Sequence, residues 1–137
     1  MHFIKDSVEN YLETILVLSK KNNMVRAVDI AAYWDISKPS VSNAMKNLRE
    51  QGLILVEEDG NILLTEKGNS QAKEVLERHS KIKDFLIYIG VDSATAEEDA
   101  CKMEHVFSEE SFQKFKSYCH WITENNKPYS DEIEKQK

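Results

Sequence analysis

The sequence predicts a mainly α-helical chain with one small β-hairpin, and three observations predict it. Apolar residues recur at i, i+3 and i+4 in six separate stretches, the mark of helices with one buried face. That period is lost once, in two short β-rich runs on either side of Asp59-Gly60, a strong hairpin turn. Between the stretches stand residues that start or stop helices: Asn22-Asn23, Ser37, Gly52, Gly90 and Ser108.

Each element can be placed in order. Asp6 followed by Glu9 is a capping-box-like start, and Val8, Tyr11, Leu12, Ile15, Leu16 and Leu18 give a first helix ending near Lys21. A second, short helix covers Ala27 to Trp34, with Ile30 and Ala31 inward. Ser37 caps a third, Pro39 sits in its first turn where a missing N–H costs nothing, and Val41, Ala44, Met45 and Leu48 form its buried stripe. Leu53–Glu57 and Asn61–Thr65 are the two strands. Thr65 caps a long fourth helix reaching Ile89. Asp92 or Ser93 opens a fifth to about Phe107, and Ser108 a sixth to Trp121 or Ile122. The polar tail from Asn125, with Pro128, is expected to fray.

Composition narrows the class. At 137 residues the chain can bury a real core, and 41% hydrophobic with 31% charged residues describes a folded soluble protein. No apolar run approaches a membrane span and Met1–Lys5 is no signal peptide, so a cytoplasmic protein with no membrane partner is expected. Two cysteines, Cys101 and Cys119, make no disulfide framework. The net charge of −6 is unevenly placed: residues 20–56 carry six cations against three carboxylates, whereas Asp92 to Glu110 is strongly acidic. A local basic face on an acidic protein still binds a duplex, because phosphate contacts are local.

Helix, helix, four-residue turn, helix, hairpin is the order of a winged helix-turn-helix. The buried stripe of the third helix leaves Lys38, Pro39, Ser40, Ser42, Asn43 and Lys46 on the opposite face, with Arg49 flanking. Short polar groups early in a helix suit base edges, and cations suit phosphates, so these seven residues are the candidate reader of double-stranded operator DNA. Glu57-Glu58-Asp59 makes the wing tip acidic, a departure from a strongly DNA-gripping wing. Tyr33 and Trp34 precede the turn and read as packing residues.

A second constellation lies further along. Cys101, Glu104 and His105 stand at i, i+3 and i+4, which on a helix is one face, and each donates well to a borderline divalent metal. His79 falls in the apolar register of the long helix, and the first helix offers Asn10 and Glu13. Each has an ordinary structural explanation as well: Cys101 as a small core residue, Glu104 as a solvated charge, His79 as a satisfied core histidine. Cys119 reads as core and His120 as exposed.

Taken together these segments resemble the diphtheria-toxin-repressor family, which includes the manganese-transport repressors. The resemblance runs from residue 5 to about 122. It rests on Asn10-Tyr11-Leu12-Glu13, Lys38-Pro39-Ser40-Val41-Ser42, Leu64-Thr65-Glu66-Lys67-Gly68, His79 and Cys101-Lys102-Met103-Glu104-His105. It implies a homodimeric repressor of metal-uptake genes that binds Fe(II) or Mn(II) and then its operator. It also implies that His79, Glu104 and His105 are metal ligands. Cys101 matches the iron-type branch and Glu13 the manganese type. Asn10 stands where those branches have methionine or aspartate, Glu97 where the iron type has a second-site histidine, which makes Glu97 a further candidate metal ligand beside Asn10 and Glu13, and Lys83 stands where the iron type has a second-site glutamate.

The expected organisation is a winged helix-turn-helix DNA-binding domain over residues 1–68 and a helical metal-binding and dimerisation domain over residues 69–137. Val106, Phe107, Phe112, Phe115 and Trp121 exceed what one small core needs, which points to a homodimer. A metal joining Asn10 and Glu13 to His79, Cys101, Glu104 and His105 would set the spacing of the paired reading helices. Cys101 tilts the choice of ion narrowly to Fe(II), with Mn(II) close behind. Two other functions compete. A small metallohydrolase built on the same ligands has no phosphate-binding glycine loop and no nucleophile–base pair, so the chain is read as a non-enzyme. A winged-helix interaction dimer without metal control is favoured by the acidic wing and by Asn10.

Overall fold

The computed structural model describes residues 8–125. It contains six helices and one hairpin in the order α1 (Val8–Lys21), α2 (Ala27–Trp34), α3 (Lys38–Glu50), β1 (Ile54–Val56), β2 (Ile62–Leu64), α4 (Glu66–Tyr88), α5 (Ser93–Met103) and α6 (Glu109–Glu124). Asp6 and the tail beyond Asn125 lie outside the described residues. The chain forms two compact units, one ending at Leu76 and the other beginning at Glu77, so α4 runs from one into the other.

The amino-terminal unit is built around the apolar faces the periodicity marks. Leu12, Ile15, Ile30, Val41, Leu48, Leu53 and Ile54 are fully buried, with Ala72 of α4 closing the same core. Local chemistry sets the angle between α2 and α3. Asp35 adopts the left-handed region (φ 53°) and the Ile36 N–H returns to the Ala31 carbonyl at 3.1 Å, a helix stop that aspartate tolerates better than most residues. Two residues later Ser37 accepts a hydrogen bond from the Ser40 N–H at 3.3 Å, a cap worth about 1 kcal/mol, and α3 begins. Trp34 is buried, its indole N–H donating to Thr14 Oγ1 at 2.9 Å. Tyr33 is half-exposed, an edge-on neighbour of that indole and not the packing residue expected.

The hairpin pairs Ile54 with Leu64, Leu55 with Leu63 and Val56 with Ile62. Ile54 and Ile62 point into the core, while Leu55 and Leu63 face outward together. Gly60 (φ 89°) makes the turn, and the Ile62 N–H donates to the Val25 carbonyl at 2.7 Å, which ties the wing to the segment before α2. Thr65 starts α4 as expected: its hydroxyl donates to the Gly52 carbonyl at 2.7 Å and accepts from the Gly68 N–H at 3.1 Å. Gly68 lies so close to β1 that a Cβ there would stand 1.9 Å from the Leu53 carbonyl oxygen.

In the carboxy-terminal unit Gly90 (φ 105°) ends α4, and Asp92 caps α5 by accepting from the N–H groups of Ala94 and Thr95. Ile82, Ala96, Ala100 and Phe112 are its buried apolar residues. Phe85, Phe107, Phe112 and Phe115 close ring to ring, with the Arg78 guanidinium 5.1 Å over Phe112. This corrects one expectation. Phe112, Phe107 and Phe115 serve the unit's own core, and of the five residues assigned to an interface only Val106 and Trp121 stand largely exposed, at 80% and 58%.

Candidate functional site

Of the three candidate ligands in the run Cys101 to His105, only Cys101 lies within α5. α5 ends at Met103, four residues before the expected stop; Glu104 is its C-cap and His105 lies in the turn beyond it. The last turn closes through Glu104 N–H to Ala100 O at 3.0 Å and Val106 N–H to Met103 O at 3.1 Å. Arg78 then holds the turn in place, donating to the carbonyls of Phe107 (2.9 Å) and Glu104 (3.4 Å) and to Glu109 Oε2 (2.9 Å). Spacing alone does not reveal that clamp.

Despite the earlier stop, the side chains converge. Glu104 is 1% exposed, with Oε2 3.0 Å from His79 Nδ1 and Oε1 3.2 Å from His105 Nε2. Cys101 Sγ lies 3.6 Å from the same His79 Nδ1, and Glu97 Oε1 lies 3.0 Å from His79 Nε2. Ligand atoms of His79, Glu97 and Cys101 all fall within 4.8 Å of one another. Burial works against a charge on His79, but hydrogen bonds to Cys101 and Glu104 outweigh it and push the imidazole pKa up to about 11. Glu97 is held below the usual carboxylate range: the desolvation that opposes this is outweighed by its bonds to Lys83 and His79.

Without a metal the buried Glu104 carboxylate is paired with the imidazoles of His79 and His105, and even a paired buried charge carries a desolvation cost that makes it a weak packing device. As a donor set the carboxylate, the two imidazoles and the Cys101 thiol fit a divalent transition ion, with one hard oxygen, two borderline nitrogens and one soft sulfur. Asn10 and Glu13 lie on α1 in the amino-terminal unit. Asn10 is buried, its carbonyl accepting from Thr14 Oγ1 at 2.8 Å, and Glu13 is half-buried. Cys119 is half-buried, with burial pushing its thiol up, and His120 is exposed and paired with Glu124 at 3.1 Å.

The nucleic-acid candidates stand as a face. Lys38, Pro39, Ser40, Ser42, Asn43, Lys46 and Arg49 are all exposed on or beside the outer side of α3, opposite Val41, Met45 and Leu48. Ser42, Lys46 and Arg49 also line a groove of about 400 Å³ between α3 and the wing, floored by Met45 and Ile62. Arg26 lines the same groove. It escaped the sequence reading because it precedes α2, and only the closure of the wing over Val25 brings it there.

Comparison with known proteins agrees with this layout. Residues 4–62 match the family model described as the iron-dependent repressor N-terminal DNA-binding domain, and residues 65–135 its metal-binding and dimerisation domain. An uncharacterised HTH-type transcriptional regulator of Methanocaldococcus jannaschii is 38% identical over 117 residues, covering 84% of this chain and 94% of its own. The transcriptional regulator MntR of Escherichia coli is 34% identical over 114 residues, covering 83% and 74%. Among solved structures the manganese regulator SloR superposes with a TM-score of 0.74 at 27% identity, over 84% of this chain and 54% of that one. This chain therefore spans about half the length of that solved regulator. Among the described residues no helix is long and apolar enough to cross a membrane. The chain belongs to the iron-dependent repressor family of metal-dependent transcriptional regulators.

Proposed function

We propose that this chain is a repressor that binds operator DNA as a homodimer when Fe(II) or Mn(II) is held by His79, Cys101, Glu104 and His105. The observation that carries the reading is Glu104, buried with its two oxygens facing two imidazoles. A bound divalent ion supplies the positive charge that this carboxylate would otherwise take from imidazolium. Glu104 and the two histidines orient toward one another without it, so little rearrangement is needed for binding. Cys101 brings a thiolate that favours Fe(II) over Mn(II). Glu13 and Asn10, expected as ligands from the sequence, enter as candidates to be tested by substitution.

The α3 face does the reading: Pro39, Ser40, Ser42 and Asn43 approach base edges, while Lys38, Lys46 and Arg49 hold phosphates. Two copies reach two half-sites, which one reading helix cannot. The exposed Tyr118 and Trp121, stacked 6.1 Å apart on α6, support a partner surface on the carboxy-terminal unit. For an ion to act as a switch it must prefer the DNA-competent form, and allosteric couplings of roughly 1–3 kcal/mol correspond to about 5- to 150-fold in operator affinity.

The test is anaerobic titration of the metal-free protein with Fe(II) or Mn(II), following binding to a duplex selected from a random library with metal-loaded protein. Metal should tighten binding at least tenfold in the parent and not in His105→Ala. Equal binding with and without metal in both proteins would leave an interaction or DNA-binding module without metal control.

A further inference from the structure

His79 uses both ring nitrogens, and they face different groups. Nδ1 faces Glu104 Oε2 at 3.0 Å and Cys101 Sγ at 3.6 Å; Nε2 faces Glu97 Oε1 at 3.0 Å. Glu97 does not stop there. Its second oxygen, Oε2, lies 3.0 Å from Lys83 Nζ, one turn of α4 beyond His79. The three side chains form a chain of contacts, ammonium to carboxylate to imidazole, in which Lys83 and Glu97 are partly exposed and His79 is buried.

Two arrangements of an ion on this histidine are geometrically open. One places it toward Glu97, with Cys101 also within 4.8 Å; the other places it on the Nδ1 side, with Glu104 and Cys101. The Nε2 side is poor for a cation. Its carboxylate already carries the Lys83 ammonium, and a second positive charge there would be repelled by it. The Nδ1 side is the drier one and offers both an oxygen and a sulfur that a cation would prefer. A ligating histidine ordinarily donates its other ring N–H to a carboxylate, which fixes the tautomer and strengthens the donor nitrogen.

We infer that Glu97, anchored by Lys83, is a positioning residue and not a ligand: it receives the Nε2–H of His79 and so leaves Nδ1 to face the ion beside Cys101 and Glu104. This gives Lys83 a role as well. It occupies the place where a second cation would otherwise meet Glu97, and it keeps that carboxylate from turning inward as a ligand. The inference rests on the metal-site reading above. It revises the expectation that Glu97 ligates.

Zinc(II), being diamagnetic, is the probe. In uniformly ¹⁵N-labelled full chain loaded with Zn(II), long-range ¹H–¹⁵N correlations should show His79 with a protonated Nε2 and a metal-bound Nδ1. Glu97→Gln keeps an acceptor oxygen for Nε2–H, so zinc affinity should stay within about fivefold of the parent. Glu97→Leu removes the acceptor and should lose ten- to a hundred-fold. Far-ultraviolet circular dichroism of both metal-free variants checks that the helices remain. A metal-bound Nε2 would overturn the inference, as would Glu97→Gln losing zinc as fully as Glu97→Leu. Zinc leaving the resonances of both His79 and His105 unmoved would remove the metal reading itself, a different failure with a different signature.

Discussion

Glu104 stands between two imidazoles, with Oε2 3.0 Å from His79 Nδ1 and Oε1 3.2 Å from His105 Nε2. No other carboxylate among the described residues is this deeply buried. Replacing it with the isosteric amide keeps the volume and removes the charge. Glu104→Gln is expected to weaken Mn(II) and Fe(II) binding by about 100-fold or more, judged against the ten- to hundred-fold typical of groups one shell further out. Competition with a chromophoric chelator measures this directly. A change under threefold would mean that Glu104 only neutralises the histidines.

The proton on His79 has a consequence for pH. In the metal-free protein its pKa stands near 11, so the ring is charged at neutral pH and an ion must displace that proton. Metal affinity should therefore climb as pH rises from 6 to 8, by up to about tenfold per unit for one displaced proton. For stability of the metal-free protein the sign is opposite. A pKa raised above the unfolded value of 6.5 contributes fully below that value and is lost as pH rises through about 11. Calorimetry in buffers of different ionisation enthalpy counts the released protons, and a count of zero contradicts the assignment.

On α3, two kinds of substitution should separate cleanly. Lys46→Ala is expected to weaken binding to specific and unrelated duplexes alike and to reduce the salt slope by about 1. Asn43→Ala should cost about 1–3 kcal/mol on the preferred sequence and little on others. Fluorescence anisotropy at several salt concentrations distinguishes the two. An unchanged slope in Lys46→Ala would place the phosphate contacts elsewhere.

Gly68 is the clearest stability test. Adding one methyl puts a carbon 1.9 Å from the Leu53 carbonyl oxygen, a backbone atom that cannot swing aside. Gly68→Ala should cost about 3 kcal/mol, at the upper end of overpacking penalties, by pushing the start of α4 off β1. The thermal transition of the amino-terminal unit should fall accordingly. Zinc binding by the carboxy-terminal unit should be largely retained, since its ligands lie beyond the division at Leu76.

Much of this was legible in the sequence because local chemistry agreed with tertiary demand. Ser37, Pro39 and the Val41–Met45–Leu48 stripe each specify α3 independently, and the structure uses all three. The end of α5 was not legible. Nothing in Cys101-Lys102-Met103-Glu104-His105 stops a helix; the turn is held by Arg78, whose carbonyl partners lie 26 and 29 residues away. The same holds for Glu97 and Lys83, whose pairing depends on how α5 lies against α4 within the unit. Burial of Thr14 was hidden too, since its hydroxyl is satisfied inside by a bond to the Asn10 carbonyl and by the Trp34 indole from another helix.

The wing of the amino-terminal unit carries one more consequence. A two-stranded sheet has two edges; here β2 is partly covered by the Val25 carbonyl, while Leu55 and Val56 of β1 are exposed. Such an edge invites strand addition from another molecule. The strands are only three residues long, and Glu57, Glu58 and Asp59 sit at the end of β1. Three carboxylates at the end of so short a strand suit a gatekeeper against strand addition, so neutralising Glu57, Glu58 and Asp59 should make the protein more prone to self-association, read as a concentration-dependent rise in sedimentation coefficient.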